Sequence, residues 1–287
     1  MTMQRDKVEQ FVKRIRQLPT LPTITTTINS AIKQPSTTAD DLARIIAKDQ
    51  SLSSKVLKMV NSAYYGTNRE ITGIKHAVSV LGFNEISKVV LAISVFESLG
   101  GNGSNGFNRQ AFWIHSLGCA IFSSIIAGAI SYAKPDDAFS AGLMHDIGKV
   151  ITDRYFQAEM EEVQKLVLSQ PLLFHEAEQK VMGIDHTQLG EWLLTTWKIP
   201  ANICTAVRYH HHPYAKREGP GAQDLIVDIV HMADVLCHDA HIGDSGNRAA
   251  VSLHAENEKR IALTPDRLAD IIAKGKEQAE KDTSFFQ

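Results

Sequence analysis

The chain has 287 residues, of which 44% are apolar and 22% are charged, and its formal net charge is -2 at pH 7. This length and balance are typical of a globular protein with one large domain or two modest ones. A charge so close to zero excludes a protein built to attract polyanions over its whole surface, although it allows local basic patches.

The cysteines and the apolar segments predict a reducing compartment. Cys119, Cys204 and Cys237 lie in apolar helical stretches, and no two of them form a CxxC pair. This spacing predicts buried thiols rather than a disulfide framework. The N-terminus is charged and shows no signal peptide, and the longest apolar run, 118–133, is too short and serine-rich for a membrane span. We therefore expect a cytoplasmic protein.

Helical periodicity dominates the chain, and no stretch alternates in the manner of a strand. The sequence therefore predicts an all-α fold. Asp40 and Asp41 suit the first turn of a helix, and Ser36, Thr37 and Thr38 are candidate N-caps for it. The predicted helices lie at 6–17, 40–48, 51–62, 74–82, 84–99, 109–132, 136–150, 157–169, 172–182, 186–197, 200–211, 223–240 and 264–282.

The run GGNGSNGFN at 100–108 has the clearest linker composition. It predicts a division into an N-terminal helical lobe, residues 1–104, and a second lobe, residues 105–287. Two loops are predicted within the second lobe, at 212–223 and near 241–262.

The strongest chemical signal is LMHDIGK, residues 143–149. Adjacent His145 and Asp146 can ligate one metal cluster, because an imidazole supplies a nitrogen and a carboxylate can bridge two ions. Gly148 permits close approach of another chain segment. Lys149 could direct its charge at a phosphate bound to the metals.

Other polar side chains lie where their helices require core residues: His115, His186, His210, His211 and Asp234. Burial of such groups without partners is costly. A shared divalent metal centre would satisfy all of them together.

The order H, HD, H, HH, D resembles the HD superfamily of metal-dependent phosphohydrolases and, more narrowly, the HDOD family. The supporting pieces are LPTLP (18–22), NSAYYG (61–66), AVSVLG (77–82), FWIHS (112–116), AGLMHDIGK (141–149), DHTQLG (185–190), WKIP (197–200) and HHHP (210–213). The resemblance covers roughly residues 18–235 and implies an HD-type helical bundle with an N-terminal helical lobe. It also implies a role in bacterial signalling.

The resemblance assigns His115, His145, Asp146 and Asp234 to the basic HD quartet. It assigns the further ligands of two-metal relatives to His186, His210 and His211, and it gives Asp146 a bridging role between two divalent ions. Fe, Mn, Mg, Ni and Zn all remain open.

The sequence departs from the patterns of these families at three places. The cyclic-dinucleotide phosphodiesterases of the HD-GYP type carry GYP after their paired histidines, where this chain has HHHPYAKREGPG. Ala111 replaces a glutamate of those enzymes, which argues against a third metal. Asp49-Gln50 replaces the usual Asp-Pro, a small change.

Structural alternatives exist for each residue. His145 with Asp146, and His186 with Asp185, could merely cap helices without binding a metal. His115 could be a core histidine, and Lys149 could be a solvated lysine at a helix end. His212 could replace one of its two neighbours in the site. His231 could replace Asp234 or support it.

Three functions follow from these patterns. The first is a signal-transduction protein that retains its metal site and binds a partner protein or a nucleotide-like ligand. The second is a metal-dependent phosphohydrolase, in which Asp146 and Lys149 are the catalytic residues. The third is a DNA-binding regulator that uses residues 40–62, where Arg44, Lys48, Lys55 and Lys58 form a basic edge. Asp40, Asp41 and Asp49 offset that edge, so we expect no nucleic-acid partner, and we expect no membrane partner.

Overall fold

A computed structural model describes residues 2–15, 23–61, 70–98, 106–215 and 225–282. These residues form helices and contain no strand, which confirms the predicted all-α fold. The LPTLP motif and most of NSAYYG lie outside the described residues. The helices are α1 (Thr2–Lys13), α2 (Thr23–Ile32), α3 (Ala39–Ile46), α4 (Gln50–Val60), α5 (Ile74–Leu81), α6 (Phe83–Ser98), α7 (Arg109–Ala129), α8 (Pro135–Met144), α9 (Ile147–Tyr155), α10 (Gln157–Ser169), α11 (Phe174–Met182), α12 (His186–Thr196), α13 (Ala201–Tyr209), α14 (Ile226–Asp239), α15 (Ala255–Ile261) and α16 (Pro265–Asp282).

The chain divides into two compact units, and one of the three boundaries, between Gly100 and Gly101, falls in the predicted linker. The larger unit comprises Met1–Leu18 and Gly101–Ala279, and the smaller comprises Pro19–Gly100 and Glu280–Gln287. Helix α1 therefore groups with the larger unit, whereas the sequence prediction placed it in the N-terminal lobe. Arg14, directly after α1, pairs with Glu159 of α10 at 2.6 Å, and Phe11 of α1 packs against Phe156.

The smaller unit is built on α2 to α6. Thr38 is the N-cap of α3, and a reciprocal capping box joins it to Asp41. Arg44 lies 2.5 Å from Asp41, and Lys75 lies 2.9 Å from Asp40. The Arg44–Asp41 pair offsets one charge of the basic edge on which the DNA-binding hypothesis depends. Helix α2 was not predicted, because its threonine- and isoleucine-rich sequence does not favour a helix.

Helix α7 is the central helix of the larger unit and packs against α8 and α14. By length and composition alone it could cross a membrane, but 72% of its apolar 18-residue stretch is buried inside the protein. Cys119, Cys204 and Cys237 are buried free thiols, as predicted. Most of the apolar run at 118–133 thus lies in a core helix, which ends at Ala129.

The prediction of one helix over 136–150 was wrong, because the chain breaks between α8 and α9. His145 keeps helical angles after Met144, but Asp146 turns the chain with φ -101° and ψ 10°. The residues on both sides of the break are apolar and buried, so periodicity could not reveal it. The predicted loop near 241–262 also contains a helix, α15.

Candidate metal centre

All seven candidate ligands lie in the larger unit and converge from five chain segments. His115 comes from α7, His145 and Asp146 from the α8–α9 break, and His186 from the first position of α12. His210 and His211 follow the end of α13, and Asp234 lies on α14. Each of them except His211 is at most 2% exposed, and His211 is partly exposed.

The ligand atoms form three overlapping groups, in each of which the atoms lie within 4.8 Å of one another. Asp146, His145 and His210 each belong to two of the groups, and Asp146 is the carboxylate among these three shared residues. The groups are Asp146 with His186, His210 and His211; His115 with His145 and Asp146; and His145 with His210 and Asp234.

Close contacts surround the Asp146 carboxylate. Its Oδ1 lies 3.0 Å from His186 Nε2 and 3.6 Å from His210 Nε2, and its Oδ2 lies 3.3 Å from His145 Nε2. His115 Nε2 lies 3.1 Å from Asp234 Oδ1. Imidazole and carboxylate atoms therefore alternate through the cluster.

The outward nitrogens fix the orientation of the histidine rings. His145 Nδ1 donates to the Gly142 carbonyl at 2.7 Å, and His210 Nδ1 donates to the Val207 carbonyl at 2.8 Å. A carbonyl can only accept, so Nδ1 carries the proton in each ring, and Nε2 is the atom that faces the cluster. Metal-binding histidines are held in this way in many proteins.

Three buried atoms in the cluster, His145 Nε2, His210 Nε2 and Asp146 Oδ1, form no hydrogen bond of good geometry among the described residues, although each lies 3.0–3.6 Å from a neighbouring carboxylate or imidazole atom. A buried polar atom without a partner destabilises a fold by about 1–3 kcal/mol. Divalent cations bind this set of nitrogen and oxygen donors. The residues present therefore fit a divalent metal centre.

Glu178 on α11 supports His186, and sequence reasoning missed it. The Glu178 side chain is fully buried, and its Oε2 accepts hydrogen bonds from both Nδ1 and the backbone N of His186, at 2.5 and 2.8 Å. A carboxylate behind a metal-binding imidazole orients it and raises its basicity. An acidic residue at a core position of α11 was the available signal.

The buried charges move the pKa values of two histidines upward. Burial lowers the pKa of His145, but the charge and hydrogen bond of the Asp146 carboxylate, together with the nearby Cys119 sulfur, outweigh burial and raise it to about 10. Burial likewise lowers the pKa of His186, and the Glu178 carboxylate raises it to about 9. Both rings are therefore protonated at neutral pH in the metal-free protein, and metal binding has to displace those protons.

The pKa values of three other groups lie below their ordinary values. Burial lowers the pKa of His210 to about 4. Burial, followed by the nearby His186, lowers the pKa of His175 to about 3. Burial raises the pKa of the Asp234 carboxyl, but its contact with His115 and the charge of His145 outweigh burial and hold that pKa below its ordinary value.

Lys149 is fully buried in α9, which excludes the alternative of a solvated lysine. Its Nζ donates to Asp146 Oδ2 at 2.6 Å and to the Ser245 carbonyl at 2.8 Å, and it lies 4.8 Å from the centre of the Phe174 ring. Lys149 thus holds one oxygen of the central carboxylate. Its contact with a phosphate stays a prediction.

His231 and His212 lie outside the three groups. His231 Nδ1 donates to the His210 carbonyl at 2.7 Å, so His231 supports the backbone of a candidate ligand. His212 packs instead against Tyr214, with ring centroids 6.0 Å apart. Of the three consecutive histidines, His210 and His211 face the cluster.

The sequence pattern that defines the HDOD domain matches residues 18–213 of this chain. The chain belongs to the HDOD family. This result confirms the family that the order of histidines and aspartates indicated.

Solved structures of similar proteins agree with this HDOD fold. An HDOD domain protein of unknown function from Geobacter sulfurreducens is 26% identical, with a TM-score of 0.79 and 98% of each chain covered. A protein from Shewanella amazonensis, named as a candidate phosphohydrolase, is 21% identical, with a TM-score of 0.76 and 98% of each chain covered. The latter likeness shows the fold alone.

An uncharacterized protein of Treponema pallidum is 25% identical over 207 residues, which are 71% of this chain and 40% of that protein. The chain therefore spans well under half the length of this relative. The activity and partners of such longer relatives extend to this chain only as proposals.

Proposed function

We propose that this HDOD protein acts in signal transduction, by binding a partner protein or a nucleotide-like ligand, and that it contains a divalent metal centre with a structural or sensory role. The seven residues that would hold the metal are His115, His145, Asp146, His186, His210, His211 and Asp234. Asp146 contributes to two of the three ligand groups, so its carboxylate could bridge two ions. The buried free thiols are consistent with a cytoplasmic location.

The burial of the cluster supports a structural or sensory metal rather than a catalytic one. Six of the seven groups are at most 2% exposed, so protein atoms cover most of the space around them. Catalytic metal sites keep an open position for water or substrate, whereas structural sites are closed. An HDOD relative from Marinobacter aquaeolei, 20% identical with a TM-score of 0.76, is named as a candidate signal-transduction protein.

A metal-dependent phosphohydrolase is the second candidate, and the central position of Asp146 favours it. In two-metal enzymes, the ions act as Lewis acids toward the phosphoryl oxygens. In this chain, His211 is the partly exposed member of the cluster, so a phosphoester would have to approach from its side. Lys149 could contact that phosphoester only after it released Asp146 or Ser245.

Hydrolysis assays distinguish the two candidates. We expect the protein loaded with Mn²⁺ to hydrolyse p-nitrophenyl phosphate, bis(p-nitrophenyl) phosphate and cyclic dinucleotides no faster than a blank that contains Mn²⁺ alone. The Asp146→Ala variant, treated identically, is the control for contaminating phosphatases. Turnover that exceeds the blank and disappears in Asp146→Ala would contradict the signalling proposal and establish the hydrolase.

A further inference from the structure

The buried centre poses a problem of access, because a metal ion has to reach it from solvent. His211 is the member of the cluster with appreciable exposure among the described residues. Its Nε2 lies 3.0 Å from Nε2 of the fully buried His186. An ion that reaches His211 is therefore one imidazole away from the interior of the cluster.

Two further imidazoles flank His211 on its outer side. The His175 ring stacks on the His211 ring, with centroids 4.3 Å apart and planes at 18°. The partly exposed His212 ring meets His175 edge-on at 5.5 Å. A continuous series of imidazoles thus connects the surface with the buried centre.

His175 also has an unused ligand atom. The residue is 7% exposed, and its Nδ1 is buried without a hydrogen-bond partner. The nitrogens of His175 belong to none of the three groups that could hold a resident ion. Since no protein atom bonds to this nitrogen, it is available to an ion that passes His211.

We propose that His175, together with His212, forms a transient binding site through which a transition-metal ion passes from solvent to His211. Imidazole is a favourable ligand for such ions, and each ring along the series replaces part of the hydration that the ion loses on its way inward. The proposal rests on the metal centre proposed above, because it assigns a route to that centre.

The rates of metal uptake and release distinguish a residue on the access route from a residue that binds the resident ion. A residue that acts only on the route changes the rates of uptake and release by the same factor, so the dissociation constant is unchanged. The test variant is His175→Phe, which keeps an aromatic ring on His211 but removes both nitrogens. Co²⁺ uptake is followed by its visible absorbance, and its release is followed after addition of EDTA.

We expect His175→Phe to take up and release Co²⁺ several-fold more slowly than the wild type, with the same final Co²⁺ content. The matched control is His238→Phe, because His238 Nδ1 is also buried without a hydrogen bond but belongs to none of the three groups. Its rates should equal those of the wild type. Circular dichroism checks that both variants fold.

Other outcomes overturn the inference. Unchanged rates in His175→Phe would show that the route does not use this residue. A weaker dissociation constant or a lower Co²⁺ content would make His175 a ligand or a positioning residue instead. If the wild type itself bound no Co²⁺, the proposed metal centre would fail together with the route.

Discussion

Replacement of Gly148 by alanine is expected to destabilise the protein by about 3 kcal/mol or more and to remove its metal-binding capacity, since overpacking against backbone cannot relax cheaply. A Cβ atom at this position would lie 1.9 Å from the backbone carbonyl oxygen of His186. Helices α9 and α12 would have to separate, and His186 would then move away from Asp146. Urea unfolding measures the first effect, and metal content after dialysis measures the second.

Gly128→Ala is the matched control for this change. Gly128 also lies within a helix, α7, but a Cβ there meets nothing within 4 Å. Alanine has a higher helix propensity than glycine, so this variant should gain up to about 1 kcal/mol of stability. If Gly148→Ala matched the wild type in stability and metal content, the close packing of α9 on α12 would be contradicted.

Lys149→Met is expected to destabilise the metal-free protein by about 3–5 kcal/mol, the usual cost of removing one partner of a buried ion pair. Methionine has a similar volume, so the effect comes from the lost cation at Asp146, which keeps only His145 and His186 as charged partners, and from the unpaired carbonyl of Ser245. A metal ion bound to Asp146 would compensate part of that charge. The loss in stability should therefore be smaller when urea unfolding is measured in Mn²⁺ than in EDTA.

Lys259→Met provides the comparison for the lysine variant. Lys259 pairs with Glu256 at 2.8 Å on the exposed face of α15, and such surface pairs contribute about 0–1 kcal/mol. Its stability should be close to that of the wild type in both buffers. An equal loss for Lys149→Met with and without Mn²⁺ would mean that the metal does not bind Asp146.

Much of the site could be predicted because each ligand is polar at a position where its helix requires an apolar residue. His115 and Asp234 stand within long apolar helices, and the pair His145-Asp146 ends another. The order of these residues indicated the HDOD family, and the family fixes which helices meet. The sequence also indicated the helix N-cap Asp185, whose side chain accepts hydrogen bonds from the backbone N–H groups of Thr187 and Gln188.

The remainder depends on contacts between distant segments, which periodicity does not encode. His175 looks like an ordinary residue of an amphipathic helix until α11 packs beside α12, and no periodicity pairs Glu178 with His186. The burial of Lys149 depends on Ser245, 96 residues further along the chain. The helix break at Asp146 lies within a buried apolar run, so both sides follow the same pattern.

The metal content of purified protein tests the central claim most directly. Wild type, Asp146→Ala and Asp228→Ala would be incubated with Mn²⁺, Fe²⁺ and Zn²⁺ in separate experiments, freed of excess ion by gel filtration, and measured by elemental analysis. Asp228 is a matched control because it is a buried aspartate, on α14, that pairs with Arg260 outside the cluster. We expect the wild type and Asp228→Ala to retain at least one of these metals and Asp146→Ala to lose it. A wild-type protein that retains none of them, or an Asp146→Ala variant that retains as much as the wild type, would contradict a metal centre built around Asp146.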